Sequence, residues 1–410
     1  MKWSQYGRIT LALVASLALG LGITACNPSF TLAFVYGLNT KSSEGSISAY
    51  TIDSVSGAIT QVANSPFDSG GQYPVAEVTS NNSKWLYVVH EISNTVVQFN
   101  TGTDGKLYKN ATYDTPGTYP ISVAISPKSN YLFVLDSYAP GFNGVAPPNI
   151  NPLGTNTIDT QGCVVVYPIS SSNGTLGKPV SNGGQSCFPI GTPVLGSQPI
   201  GLTATAFVDY LYVADQGTHS IYGFSVNYSN GVLTPLANNN FQAGVKPSAI
   251  TSDPTGRFVY VTDQYQNLIL GYLVLNGGTL QSQLNGPFPT NLYPYSMVID
   301  PRGKFLYVTD YNSNDVRAYA IQASTGNPIA VAGASGYGTG TGPTCVAIEP
   351  AYGRYVYTAN FLDNSISGFK LDPATGQLTT ALNSPFPSGG QPTCIATAAN
   401  GTHPVQSITP

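Results

Sequence analysis

Charge is what this chain has least of. Asp, Glu, Lys and Arg together make up 8% of its 410 residues, against roughly 25% in an average soluble domain. The net charge is −4 with no basic run, so the electrostatic footprint of a nucleic-acid surface is missing and no nucleic-acid partner is expected. There are three histidines, at 90, 219 and 403. That is too few for a histidine-rich metal centre, although carboxylates and carbonyls could still hold calcium. The sequence also lacks a G-x-S-x-G elbow, a G-x-G-x-x-G turn, a phosphate loop and an H-E-x-x-H zinc motif. The common signatures of serine hydrolases, dinucleotide enzymes and zinc proteases go with them, and neither a metal nor a cofactor is expected. Beyond residue 25 no apolar run is long enough to span a bilayer.

What the chain has instead is Gly (44), Pro (31) and Tyr (27), arranged as a repeat. A short strand returns at Val35-Tyr36, Leu86-Tyr87, Leu132-Phe133, Leu211-Tyr212, Val259-Tyr260, Leu306-Tyr307 and Val356-Tyr357. Three residues after each comes a short polar side chain or histidine: Asn39, His90, Asp136, Asp215, Asp263, Asp310 and Asn360. These markers are 51, 46, 79, 48, 47 and 50 residues apart. A unit of that size, rich in strand formers and Gly/Pro turns, predicts an all-β fold, a seven-bladed β-propeller of four-stranded blades. A second ladder of prolines, at 74, 120, 199, 247, 294, 343 and 392, opens an apolar run each time. The first five lie 16 residues before a marker and Pro343 lies 17 before Asn360. Pro392 has no later marker and Asn39 no earlier proline. Pairing Thr393–Ala398 as inner strand with Phe34–Leu38 makes the last blade and closes the ring, leaving no open sheet edge.

One blade shows the parts. Pro247 opens an inner strand over Ala249–Ser252, where a missing N–H is tolerated. Asp253-Pro254-Thr255-Gly256 turns the chain. Strands follow at Phe258–Thr262, Leu268–Val274 and Thr279–Gln283. The third-strand aromatic, Tyr50, Phe99, Tyr167, Phe224, Tyr272, Tyr319 or Phe369, is expected to fill the space between blades. Two residues past each opening proline sits a small side chain: Ala76, Ser122, Gly201, Ala249, Ser296, Cys345 or Cys394. Small groups suit strands crowded around a channel.

Residues 1–25 read as a targeting segment, with Lys2 and Arg8 before an apolar Ile9–Ile23. Ile23-Thr24-Ala25-Cys26 resembles the lipobox of bacterial lipoproteins. The resemblance implies cleavage before Cys26, lipidation of that cysteine and a membrane anchor facing periplasm or cell surface. The expected organisation is therefore a signal over 1–25, a tether over 26–31, a propeller over 32–400 and a tail over 401–410, as a monomer. In an oxidising compartment four cysteines allow three pairings. Cys163–Cys187, flanking the third and outer strands of the irregular blade, is the preferred disulfide, and a Cys345–Cys394 bridge stays open. The long interval contains a Pro/Asn/Gly-rich loop from Tyr138, a form often functional and sometimes merely disordered.

Alternating strands sort loops onto two faces. Lys84, Lys128, Arg257, Arg302, Lys304 and Arg354 fall on one, read as a solvated rim. The other carries the markers, the long loop and the residue before each proline, with Lys246 its one clear cation. The markers have a plain reading as caps of the following turn. Asn94, Asn267, Asn314 and Asn364 suit a repeated turn, with His219 standing where the asparagine would be. His90, followed by Glu91, could instead serve as a base.

Asp300-Pro301-Arg302-Gly303-Lys304-Phe305-Leu306-Tyr307-Val308-Thr309-Asp310, Val213-Ala214-Asp215-Gln216-Gly217 and the Ser-Pro-Phe at 65–67 and 384–386 resemble the seven-bladed propeller lactonase family. That family includes propeller-type 6-phosphogluconolactonase, and the pattern is also similar to YVTN-type surface propellers. Catalytic members carry Arg and His just after blade-opening prolines. Here Pro343 is followed by Thr344-Cys345, Pro294 by Tyr295-Ser296 and Pro199 by Ile200-Gly201. A phosphorylated lactone needs cations, so that substrate is rejected. The expected function is binding of a neutral polar ligand such as carbohydrate at the channel mouth, near Tyr73, Tyr119, Tyr138, Tyr293 and Tyr295. The alternative is hydrolysis of a neutral lactone, with His90 and Asp215 or Asp263 as base and Lys246 steadying the oxyanion. A structural surface propeller is the third.

Overall fold

Short strands ended by tight turns give each repeat four antiparallel strands. A computed structural model describes residues 29–40, 44–139, 161–190, 197–283, 285–331 and 335–401. The leader with Cys26, most of the long loop after Tyr138 and nearly all of the 401–410 tail lie outside them. Seven separate sheets form the ring. Their inner strands are Pro392–Ala399 in blade 1, then Pro74–Thr79, Thr118–Ile125, Pro199–Ala204, Pro247–Ser252, Pro294–Ile299 and Pro343–Ile348 in blades 2 to 7. Blade 1 joins the ends of the fold, with Pro392–Ala399 pairing antiparallel to Thr31–Asn39 from Ala399↔Ala33 to Pro392↔Asn39.

The two sequence ladders meet in the register. Each opening proline lies opposite its marker: Pro74↔His90, Pro120↔Asp136, Pro199↔Asp215, Pro247↔Asp263, Pro294↔Asp310 and Pro343↔Asn360. The extra residue before Asn360 is absorbed by the turn after Glu349, whose carboxylate accepts from the N–H groups of Ala351, Tyr352 and Arg354. In blade 6 the same corner is shorter: Asp300 accepts from the Lys304 and Phe305 amides at 2.7 Å.

Hydrophobic burial lies between blades. Each of seven core clusters draws on two neighbouring blades, the one between blades 7 and 1 holding Tyr355 and Tyr357 with Val35 and Tyr50. The third-strand aromatics are all at most 3% exposed. Four are tyrosines whose hydroxyls cross to the preceding blade, as Tyr319 does to the Pro289 carbonyl at 2.7 Å. Six second-strand tyrosines cross the other way, each onto a left-handed glycine before the next blade's outer strand. Tyr260 donates to the Gly326 carbonyl at 2.6 Å, and Gly326 has φ +73°, where a side chain would be strained and would strike Phe258.

The far-face cations are more than a solvated rim. Arg302 bridges Asp300 at 2.6 Å and donates to the Gly353 carbonyl of blade 7. Arg257 lies over Phe258 and donates to the Ala323 carbonyl of blade 6. Lys84, Lys128 and Lys304 are exposed.

Candidate ligand-binding site at the channel mouth

Two rings of residues build the mouth. The first is the residue before each opening proline and the second is the residue after each marker. They are locked by backbone bonds in which the second ring donates: Glu91 to Tyr73, Gln216 to Gln198, Gln264 to Lys246, Tyr311 to Tyr293 and Phe361 to Gly342, at 2.8–3.0 Å. Tyr73, Tyr119 and Tyr293 have φ of +57°, +54° and +63°, a region costly for a bulky side chain. The asparagine of the preceding blade's turn holds two of them. Asn94 accepts from the Tyr119 N–H and Asn267 from the Tyr293 N–H, both at 2.7 Å, and Asn314 does the same for Gly342 at 2.8 Å. The repeated asparagines are therefore turn residues that also aim the next blade's mouth residue.

Below the mouth, a cavity of about 1260 Å³ runs down onto the inner strands. Its wall is made by the small residues at Ala76, Ser122, Gly201, Ala249, Ser296, Cys345 and Cys394. All five tyrosines singled out in the sequence, and Lys246, line it. Tyr119 meets Tyr138 edge-on at 5.9 Å, and Tyr311 sits 6.0 Å from Tyr293 and 5.8 Å from Tyr295. Burial, then the neighbouring tyrosines, pushes the Tyr295 phenol up, so it stays a neutral donor. On blades 4 and 5 the lining turns to amides, Gln198, Gln216 and Gln264. Glu91 and Lys246 are the charged residues among those that line the cavity, and burial raises the Glu91 carboxyl.

The other sequence candidates lie behind this wall. His90 is fully buried with its Nε2 3.0 Å from Ser69 Oγ, and burial lowers it to about 4, so it is neutral. Asp215 is buried and accepts from Ser197 Oγ and from the Gln198 and Thr218 amides at 2.5, 3.0 and 2.9 Å. Asp263 accepts from the Val245, Tyr265 and Gln266 amides at 2.6, 2.9 and 3.0 Å. These bonds tie the turn after the marker to the segment entering the blade. The structure thus brings Lys246 and the tyrosines to one cavity and leaves His90, Asp215 and Asp263 off its lining. Sequence reading missed the second ring, with Glu91, Gln216, Gln264 and Tyr311. Its signal was available, since each follows a marker directly.

Cys163 and Cys187 are buried side by side in blade 3, where Cys163 pairs with Pro189. Among the described residues no three His, Cys, Asp or Glu side chains gather as metal ligands.

A family model described as lactonase, 7-bladed beta-propeller, matches residues 235–348. Solved structures match over nearly the whole chain. A putative 6-phosphogluconolactonase from Bacteroides fragilis is 18% identical at TM-score 0.71, covering 92% of this chain and 99% of its own. A periplasmic gluconolactonase from Pseudomonas aeruginosa is 19% identical at TM-score 0.70, covering 90% and 99%. No curated protein matches. With seven blades closed by the C-terminal strand the chain is a seven-bladed β-propeller, and from the outer strand of blade 4 to the inner strand of blade 7 its sequence is similar to the lactonase propeller family.

Proposed function

We propose that this propeller is an envelope-anchored binding protein that takes a neutral polar ligand, such as a carbohydrate, at its channel mouth. The observation that carries the reading is the division of the cavity wall into an aromatic arc and an amide arc. Tyr73, Tyr119, Tyr138, Tyr293 and Tyr295 offer flat faces for the C–H side of a sugar ring. Gln198, Gln216 and Gln264 offer neutral donors and acceptors for its hydroxyls. A single cation, Lys246, is poorly matched to a phosphate, which argues against a phosphorylated substrate. A wholly structural propeller would need no cavity of about 1260 Å³. The anchor is the lipidated Cys26, the protein faces periplasm or cell surface as a monomer, and Cys163–Cys187 is oxidised there. Radiolabelled palmitate should enter the wild-type chain and not Cys26→Ser.

A neutral lactone is the second ligand class, favoured by Glu91 and Lys246 on the same wall and by the gluconolactonase name of one structural relative. In this reading Glu91 supplies the base and Lys246 the oxyanion contact, because both line the cavity, whereas His90, Asp215 and Asp263, the bases expected from the sequence, lie behind its wall. One experiment separates the classes: pH-stat assay of the purified protein over neutral sugar and aliphatic lactones, beside a glycan-binding screen. Turnover lost in Glu91→Gln or Lys246→Ala establishes the hydrolase. Glycan binding lost in Tyr293→Ala, without turnover, establishes the binding module. Neither activity in a folded protein refutes both.

A further inference from the structure

Positions two residues past the opening prolines face one another around the channel. A side chain built at Gly201 of blade 4 would reach 4.0 Å from Ser122 Oγ of blade 3. Two adjacent blades must both carry cysteine here for a covalent link between inner strands. That happens once, at Cys345 of blade 7 and Cys394 of blade 1. Their Sγ atoms lie 2.6 Å apart, close to the ~2.05 Å of a disulfide, so bonding needs little backbone movement. Cys394 sits on Pro392–Ala399, the strand that closes the ring, opposite Leu38.

We infer that Cys345 and Cys394 form a redox-controlled staple that ties the ring-closing strand to blade 7. Both line the cavity, Cys394 being the more exposed, so a small disulfide donor reaches it from the mouth. The Cys394 thiolate attacks one sulfur of the donor and expels a thiolate. Cys345 then attacks the Cys394 sulfur of the mixed disulfide and expels the second. The cysteines lose two electrons and two protons, and the donor is reduced to two thiols. The contact with Cys345, then burial, raises the Cys394 thiol, and the buried Glu77 carboxyl lies beside it. The reaction therefore quickens as pH rises above neutrality. The pairing does not depend on export, which would decide only the natural source of the donor.

The test incubates the full chain with oxidised glutathione at pH 8.5, alkylates free thiols and maps peptides by mass. The expected product links the peptides carrying Cys345 and Cys394 with loss of two hydrogens. Its thermal midpoint should stand roughly 5 °C above that of the dithiothreitol-treated protein, as closure of the 345–394 loop implies. Cys345→Ala and Cys394→Ala, which copy Ala76 and Ala249 of other blades, should fold and lose the increment. Complete alkylation of both cysteines under oxidant, linkage only to Cys163, Cys187 or glutathione, or a linked product with an unchanged midpoint would each overturn the staple.

Discussion

Six tyrosine hydroxyls peg six of the seven blade interfaces, and removing them tests whether these bonds hold the ring. Tyr36, Tyr87, Tyr212, Tyr260, Tyr307 and Tyr357 are fully buried. They donate to the carbonyls of Gly105, Gly174, Gly278, Gly326, Gly376 and Gly57 at 3.2, 2.6, 2.7, 2.6, 2.9 and 2.8 Å. Replacing all six by Phe keeps the ring packing and strands six buried carbonyls, at ~1 kcal/mol each. The pegs sit at separate interfaces, so the costs add to ~6 kcal/mol. Strands span Thr31–Ala399, about 370 residues, giving an unfolding entropy of ~0.8 kcal/mol/K and a predicted fall of ~8 °C by calorimetry. Blade 3 has Phe133 at this position, without a hydroxyl, while the φ +77° Gly231 waits in blade 4. Phe133→Tyr is the mirror test and should raise the midpoint by ~1 °C. If the sixfold variant melts within ~2 °C of wild type, the hydroxyls contribute no more than packing does and the reasoning fails.

Two buried titrating groups give opposite pH dependences. Burial depresses His90 to about 4, so between that value and its ordinary ~6.5 the unfolded chain binds more protons and stability drops as pH falls. His90→Asn, copying the marker of blades 1 and 7, should flatten urea-midpoint curves across that window, and an unchanged slope would refute it. Asp310 is lifted to about 8, first by burial and then by the Asp315 carboxylate beside it. Its folded form keeps a proton the unfolded chain releases near ~4, so stability declines as pH rises from there through 8. Asp310→Asn should remove that decline in the same titration.

The blade count, the closing strand and most strand limits were legible because they follow from local chemistry. A proline tolerates only a strand's first position, turn residues recur at fixed offsets, and β-branched and aromatic runs lie between. The inner strand read as Ala249–Ser252 after Pro247 is Pro247–Ser252, and the third strand is Leu268–Val274 as expected. The 16-residue spacing became a cross-strand pair because hairpin register is fixed by turn length. The sequence also placed the tyrosines and Lys246 on one face. It did not separate side chains that point into the channel from those that point behind it. His90 and Glu91 are neighbours in the chain, yet the first ends a strand buried along its whole length and the second begins the turn that lies on the cavity wall. Nor could it bring Cys345 to 2.6 Å from Cys394, since residues 49 apart in the chain meet only once the inner strands of blades 7 and 1 have packed side by side. Local patterning determined what each blade is; closure of the ring decided which residues share a cavity, because that contact exists only once all seven interfaces have packed.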